Sequence, residues 1–600
     1  MSHLERELSR LMKDRKQRDA YLWDDNCVVQ AGPGSGKTAT LTLKIMRLLA
    51  ERISPPRGLA CVTFNNEAVR EFKVRLRLLG LPRRPNIFLG TVHSFCLGCV
   101  IRPFAPLFRA ELPKPLRVGL QNIQDRYLQK AMDHTGIRSR LREFRFGFDR
   151  YRRTHVERGE ESWLDNEQYA RTIEDYESIM HKAGYVDFDD LILIALNMIE
   201  KEAYVRRCIY ARFPWLVIDE YQDLGYPLHR MILAMLNSTP IKILAVGGPD
   251  QSIYGFIGAD PKYLNELANR KDVTPIQLDL NYRCAQKIID GSCVVLSPDV
   301  PRNYRSARDD SHLGEVFFVS RQNGLKDQAE FISERLIPQL VGGGYQLRDI
   351  ALLYLDKNDA RVIIDALEKG GIKYAGERDQ RYPRTTVTRW VEEIAQWCCG
   401  VRGKEGVTFS AICDSWIGLL RNAGRRVGEE NELLFRRELF RTLTALQDPL
   451  TQVERWLSKL EEEMSIKKVL GLDEKVPEEL EAYTSMVSSF SEGGALASYK
   501  VEDLAGCGAN ANRLCVTTLH SSKGLQFDVV IIPGLEEGRL PSWAAKSDAA
   551  IREARRTFYV GFTRPRHLVY LIYSGWYENQ YGVFKHGPSR FVVELMNALK

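Results

Sequence analysis

The stretch Asn26-Cys-Val-Val-Gln-Ala-Gly-Pro-Gly-Ser-Gly-Lys-Thr38 constrains this chain more than any other. Cys27 to Val29 reads as a short apolar strand that runs into a glycine-rich loop. The recurrence of Leu41, Ile45, Met46 and Leu49 predicts a helix opening at Lys37. Strand, glycine loop and helix in that order are what a Walker A phosphate site requires. Gly32, Gly34 and Gly36 let backbone N–H groups turn towards phosphate oxygens, and the helix N-terminus adds the positive end of its dipole. Ala31, Pro33, Ser35 and Ala39 complete the loop and the first helical turn. Lys37 is expected at the β- and γ-phosphates of ATP and the Thr38 hydroxyl at Mg²⁺. Ala31 departs from the strict pattern, which has glycine there. The alternative is a glycine-rich turn before an ordinary helix, so partners are needed elsewhere in the chain.

Those partners follow. Pro214-Trp-Leu-Val-Ile-Asp219-Glu220 is a hydrophobic strand ending in two carboxylates, a Walker B pattern. Asp219 would hold Mg²⁺ and Glu220 would orient and deprotonate water. A further strand, Ile241 to Val246, leads to Gln251, placed to sense a γ-phosphate, and to Tyr254 and Phe256, placed to meet bases. Gln17 lies twenty positions before Lys37, and its amide can bond both edges of adenine. Ala60 to Phe64 and the stretch ending at Gly90-Thr91-Val92-His93 are strands whose terminal polar and aromatic residues suit phosphate and base contacts, or ordinary loop chemistry.

Six hundred residues, 44% hydrophobic and 27% charged, support several packed domains. The net charge of +7 fits a nucleic-acid partner without establishing one. No run approaches the roughly 18 apolar residues of a membrane span. The N-terminus has no apolar signal region and twelve cysteines form no disulfide framework, so a reducing cytoplasm and no membrane are expected. Cys96-Leu-Gly-Cys99 lacks the second pair that a metal site would need. Between Arg138 and Arg158 eight arginines interleave with Phe144, Phe146, Phe148 and Tyr151. That is either a stacking surface for single-stranded nucleic acid or a helix with aromatics inside and arginines in water. The strand rhythm lapses at about residue 103 and again over 373–509, so two α/β regions are each interrupted by a mostly helical segment.

In this order the motifs resemble those of the UvrD/Rep family of superfamily 1 DNA helicases. The resemblance covers nearly the whole chain and also takes in Asn281-Tyr-Arg283, Thr518-Leu-His-Ser-Ser-Lys-Gly-Leu525 and Tyr559-Val-Gly-Phe-Thr-Arg564. It implies an α/β fold of two RecA-like P-loop NTPase domains, each with a mostly helical insertion, and ATP in the cleft between them. The implied division is 1–102 with 186–272 for the first core domain and 103–185 for its insertion. The second core domain takes 273–372 with 510–600, and its insertion 373–509.

The resemblance further implies that Tyr282 stacks on adenine and that Arg283 and Arg564 are arginine fingers. Pro565 would end the helix and present Arg564 at its tip. Thr63, Phe64, Asn65, Thr91, His93, Tyr254, Phe256, Thr518 and His520 are implied contacts to single-stranded DNA, with 3′ to 5′ polarity. Gln526 stands where the family has a glutamate against the nucleotide sugar, and Phe256 and Ile257 replace the usual tryptophan and arginine. The expected partners are single-stranded and tailed duplex DNA, in repair, replication restart or phage defence. Only 36 residues follow Arg564, too few for a fused nuclease domain. A second reading is therefore a DNA-stimulated regulatory ATPase that works beside a separate nuclease subunit and unwinds little alone.

Overall fold

The structure, a computed structural model, describes residues 3–599 apart from 65, 82–85, 110, 114–115, 120, 256–257, 297–302, 377–381, 384, 403–406, 426, 472–476, 495, 507–511 and 580–581. Contacts divide the chain into two compact units. The first comprises Met1–Val316, Glu537–Leu568 and Ser589–Lys600, the second Phe317–Glu536 and Val569–Pro588. Among the described residues no helix is long and apolar enough to cross a membrane.

The first unit is built on a six-stranded sheet of β1 (Cys27–Ala31), β2 (Leu59–Thr63), β3 (Phe88–Thr91), β4 (Trp215–Ile218), β5 (Lys242–Gly247) and β6 (Thr274–Leu278), ordered β3-β2-β4-β5-β1-β6. Every pairing is parallel, with Val28 beside Ala245 and Val62 beside Ile218. Side chains alternate between two cores, as the period of a strand covered on both faces demands. Cys27, Val29, Cys61, Val217 and Leu244 face one core, while Val28, Val62, Ile218 and Ala245 face the other. Cys96 and Cys99 are buried in the second of these, and burial pushes the Cys96 thiol up to about 12. They serve as small apolar side chains.

Four helices matter for the site: α1 (His3–Lys13), α2 (Arg15–Leu22), α3 (Lys37–Arg47) and α4 (Asp548–Phe562). In the second unit the strands Ile350–Tyr354, Leu514–Thr518, Phe527–Ile532 and Tyr374–Gly376 pair in parallel. Its helical stretch has its own core, in which Trp390 stacks on Trp416 with ring centroids 4.5 Å apart.

The arginine-rich stretch resolves into the helix Leu141–Thr154. Phe144, Phe148 and Tyr151 are buried in a core with Trp163 and Tyr176, and only Phe146 is exposed. Several arginines are committed to carboxylates: Arg145 to Asp125, Arg153 to Asp189 and Arg158 to Glu177. Arg152 is fully buried and meets three: Glu177 at 2.8 Å, Asp187 at 2.6 Å, and Asp190. Asp187 and Asp190 also form the capping box of the helix Phe188–Lys201. Burial opposes the Asp187 charge, but Arg152 and the cap hydrogen bonds hold its carboxyl below the usual range.

Removing one partner from such a cluster strands the rest. Arg152→Ala is expected to cost about 3–5 kcal/mol, read as a lower midpoint in thermal denaturation. In the wild type the lowered Asp187 stabilises above the carboxylate range, and that contribution is lost as pH falls through its folded pKa. In the variant the orphaned carboxylates are destabilising only while charged. The two melting midpoints should therefore converge as pH falls; a gap that widens in acid would refute the charge account.

Candidate nucleotide and nucleic-acid site

Because the first sheet is parallel, the C-terminal ends of its strands share one edge, the usual place for a ligand in an open α/β sheet. After β1 the chain turns through Gly34 (φ 74°) and Gly36 (φ 81°), both left-handed. A Cβ at Gly34 would lie 2.6 Å from Asn281 Oδ1 and from the Arg283 side chain, and one at Gly36 would lie 2.5 Å from Gln17 Nε2. Two distant segments thus wrap the loop so closely that only glycine fits. Gln17 Nε2 donates to Ser35 O at 2.9 Å, Asn281 Nδ2 to Pro33 O at 2.8 Å, and Tyr282 N to Gly34 O at 2.7 Å. Ser35 Oγ ties the loop internally to Gly32 O at 2.8 Å. Gly36 caps α3 with no side chain, an arrangement that suits an anion at the first turn. Thr38 and Ala39 follow Lys37 in that turn, each partly exposed.

Lys37 Nζ donates to Gln251 Oε1 at 3.1 Å and lies 3.8 Å from Glu220 Oε2. Gln251 in turn donates from Nε2 to Ala31 O at 3.1 Å. Asp219 directly follows β4, 5% exposed, and burial together with the neighbouring Glu220 pushes its carboxyl up to about 7. Asp219 Oδ1 has no hydrogen-bond partner among the described residues. A buried carboxylate oxygen without a donor, beside a second carboxylate, is chemistry that fits a divalent cation. Glu220 has a left-handed backbone, φ 52°, and its Oε2 accepts from Gln222 Nε2 at 2.5 Å. Gln222, wholly buried, also accepts from Gly248 N at 2.9 Å.

Arg283 and Arg564 belong to this same unit. Arg283 Nη1 donates to Thr563 O at 3.4 Å, and its Nε has no hydrogen-bond partner among the described residues. Arg564 is 2% exposed. Its guanidinium folds back from the helix end, Nε donating to Val560 O at 2.7 Å, rather than projecting from the tip as the following Pro565 suggests. Burial, and then the charge of Arg283, pushes Arg564 down to about 9. Burial also lowers Arg283. Two buried guanidiniums, each lowered by burial and one of them also by the other's charge, suit a site completed by an anion.

On the neighbouring strand ends, Thr63 closes β2 and is buried, and Phe64 stacks on Tyr254 with centroids 5.4 Å apart. Thr91 closes β3 and caps the turn that carries His93, whose ring meets Phe188 edge-on at 5.3 Å. Asn65 and Phe256, also expected on this surface, lie outside the described residues, as does Ile257. Thr518, His520 and Gln526 belong to the second unit. There Thr518 ends a strand and its Oγ1 donates to Ser521 Oγ at 2.9 Å. His520 is partly exposed, and Gln526 is exposed just before the strand Phe527–Ile532.

Sequence reasoning assigns no role to three residues in this arrangement, two of them inside quoted motifs. Gln222 holds the Glu220 carboxylate, Asn281 fastens its segment to the loop, and Tyr304 places its ring 3.2 Å from where a Gly32 Cβ would sit. Nothing local marks what they do. Asp14 accepts from the backbone N–H of Lys16 and Gln17, and Asp-x-x-Gln ahead of a helix is a readable cap signal.

Comparison with known proteins agrees with this geometry. The UvrD/REP helicase N-terminal domain matches residues 12–272, and the UvrD-like helicase C-terminal domain matches 440–575. The chain is similar to the ATP-dependent DNA helicase PcrA of Bacillus subtilis, at 26% identity over 100% of this chain and 87% of the relative. It is similar also to PcrA of Staphylococcus aureus, at 25% identity over 95% of this chain and 84% of the relative. With both family domains matched in order around the motifs described above, the chain belongs to the UvrD/Rep-like superfamily 1 helicases, enzymes that couple ATP hydrolysis to DNA.

Proposed function

We propose that this ATP-dependent DNA helicase moves 3′ to 5′ along single-stranded DNA, in the cytoplasm, with ATP and Mg²⁺ held at the C-terminal edge of the first sheet. The observation that carries the reading is the gathering of Lys37, Asp219, Glu220, Gln251, Arg283 and Arg564 in one compact unit, around a loop that only glycine can form. Lys37 and the α3 N-terminus bind phosphate oxygens, and Thr38 and Asp219 hold Mg²⁺, which spreads the negative charge of the phosphates. Glu220 orients water and takes its proton, fixed in aim by Gln222. Gln251 lies between Lys37 and the loop carbonyl of Ala31, so any shift of the lysine is passed towards Tyr254, three residues on. Arg283 and Arg564 stabilise charge on the transferred phosphoryl group. Gln17 and Tyr282 hold the base. Phe64 and Tyr254 offer a stacking surface that tolerates any DNA sequence, as a motor needs. Gln526, Thr518 and His520 are carried into this reading from the family motif alone.

A duplex with a 3′ or a 5′ single-stranded tail, at defined low salt, tests the reading. Strand separation on ATP addition is expected for the 3′-tailed substrate alone and is expected to vanish in Lys37→Ala. ATP turnover stimulated by DNA but without strand separation would point to the regulatory motor beside a nuclease. No turnover on any DNA would sink both. Arg564→Lys keeps a charge but loses the planar fork. It should lower kcat by about 10³-fold or more with a smaller effect on KM, since an arginine finger is typically worth roughly 10³–10⁵ in rate. A fall confined to KM would remove Arg564 from the transition state. Tyr254→Ala should weaken single-stranded DNA binding by about 1–3 kcal/mol in a fluorescence-anisotropy titration, with DNA-free ATP turnover retained.

A further inference from the structure

Asp14 sits between α1 and α2 and is 6% exposed. Its Oδ1 accepts from Lys16 N at 2.9 Å and Gln17 N at 3.2 Å, which caps α2 and fixes the start of the helix that carries Gln17. Its Oδ2 accepts from Tyr282 Oη at 2.9 Å. One carboxylate therefore holds both side chains that the proposed function assigns to the base, although they lie far apart in the chain. From α1, Arg10 lays its guanidinium over the Tyr282 ring at 5.1 Å, which gives the tyrosine a third fixed neighbour.

The bond reaches further than the base. Tyr282 N donates to Gly34 O, and Asn281 Oδ1 accepts from Arg283 N at 2.8 Å while Asn281 Nδ2 grips Pro33 O. The segment 281–283 is thus pinned to the phosphate loop through its backbone and to the α1–α2 corner through Asp14. The next residue after Tyr282 is the finger Arg283. We propose that Asp14 is a positioning residue for nucleotide selection. It couples Gln17 to Tyr282, so that the base slot is formed only when the segment bearing Arg283 is seated on the loop. This rests on the nucleotide site proposed above.

Three variants separate the two halves of the role. Asp14→Ser still caps a helix but is too short to reach Tyr282. Tyr282→Phe removes the same bond from the other side and keeps the ring. Each is expected to raise the KM for ATP about fivefold, the order of one intramolecular hydrogen bond, and to raise that for GTP by a similar factor. The double variant should be no worse than either single one, because both remove one interaction. Asp14→Ala also loses the cap, releases Gln17, and should in addition bring the KM values for ATP and GTP together. Thermal denaturation of each variant reads out any general loss of fold, which would not alter the ratio of the two substrates. Additive effects in the cycle, or an unchanged KM in both single variants, would overturn the role of Asp14. Failure of the wild type to hydrolyse ATP would instead overturn the nucleotide site itself.

Discussion

Six parallel strands end at one edge, and the side chains they deliver there carry charge that the sheet cannot neutralise. Lys37 is drawn between Gln251 and Glu220. Asp219 is pushed towards its protonated form by burial and by Glu220, and Arg564 is pushed towards its neutral form by burial and by Arg283. Cations that repel one another and carboxylates that repel one another occur in one unit. A polyphosphate with a divalent cation would supply the missing sign at each place: oxygens for the guanidiniums and lysine, a metal for the carboxylates. Preorganised charge of this kind costs folding stability and returns it on binding, the general basis of electrostatic catalysis.

Backbone conformation holds these charges in place. Glu220 takes a left-handed conformation that non-glycine residues enter at a cost of order 1 kcal/mol. The cost is tolerated because the Gln222 amide grips the carboxylate and is itself locked by Gly248 N, and because Ser252 Oγ donates to Gln222 O at 3.1 Å. Arg556 from α4 then donates to Ser252 O at 2.6 Å. A chain of hydrogen bonds thus runs from the proposed general base to the loop that leads to Tyr254. A change in the occupancy of the site has a physical route towards the stacking surface.

Legibility in the sequence follows range. The phosphate loop is readable because its three glycines, lysine and threonine are contiguous and each has a local reason. The Walker B strand is readable because four apolar residues end in two carboxylates. The motif residues Tyr282, Arg283 and Arg564 carry no such local reason; only resemblance to a family marks them, and the fold then brings them to the loop. Gln222 and Asn281 stand inside family motifs, but their roles, like Tyr304 and the bond from Asp14 to Tyr282, are invisible in sequence, since each depends on a contact between segments that only the folded sheet juxtaposes. Where the reading of Arg564 misses, it does so for the same reason. Pro565 does close the helical run, but the guanidinium then finds the helix carbonyl of Val560 nearer than open space.

The arginine-rich stretch shows how the same composition can be put to a different use. Stacking on nucleic acid requires aromatic faces in the open beside free cations. Here three of four aromatics are inside, and Arg145, Arg152, Arg153 and Arg158 meet carboxylates. Their effect on the proposed DNA side is indirect. Arg152 binds Asp187 and Asp190, and Arg153 binds Asp189, so two consecutive arginines hold all three carboxylates at the first turn of the helix Phe188–Lys201. Phe188 opens that helix and packs edge-on against His93. Burial lowers the His93 pKa, Asp189 opposes that shift and Arg153 adds to it, so the pair Arg153–Asp189 also bears on the charge of the ring. A helix with one exposed ring among these four aromatics therefore fixes the orientation, and biases the neutrality, of a side chain proposed to touch DNA.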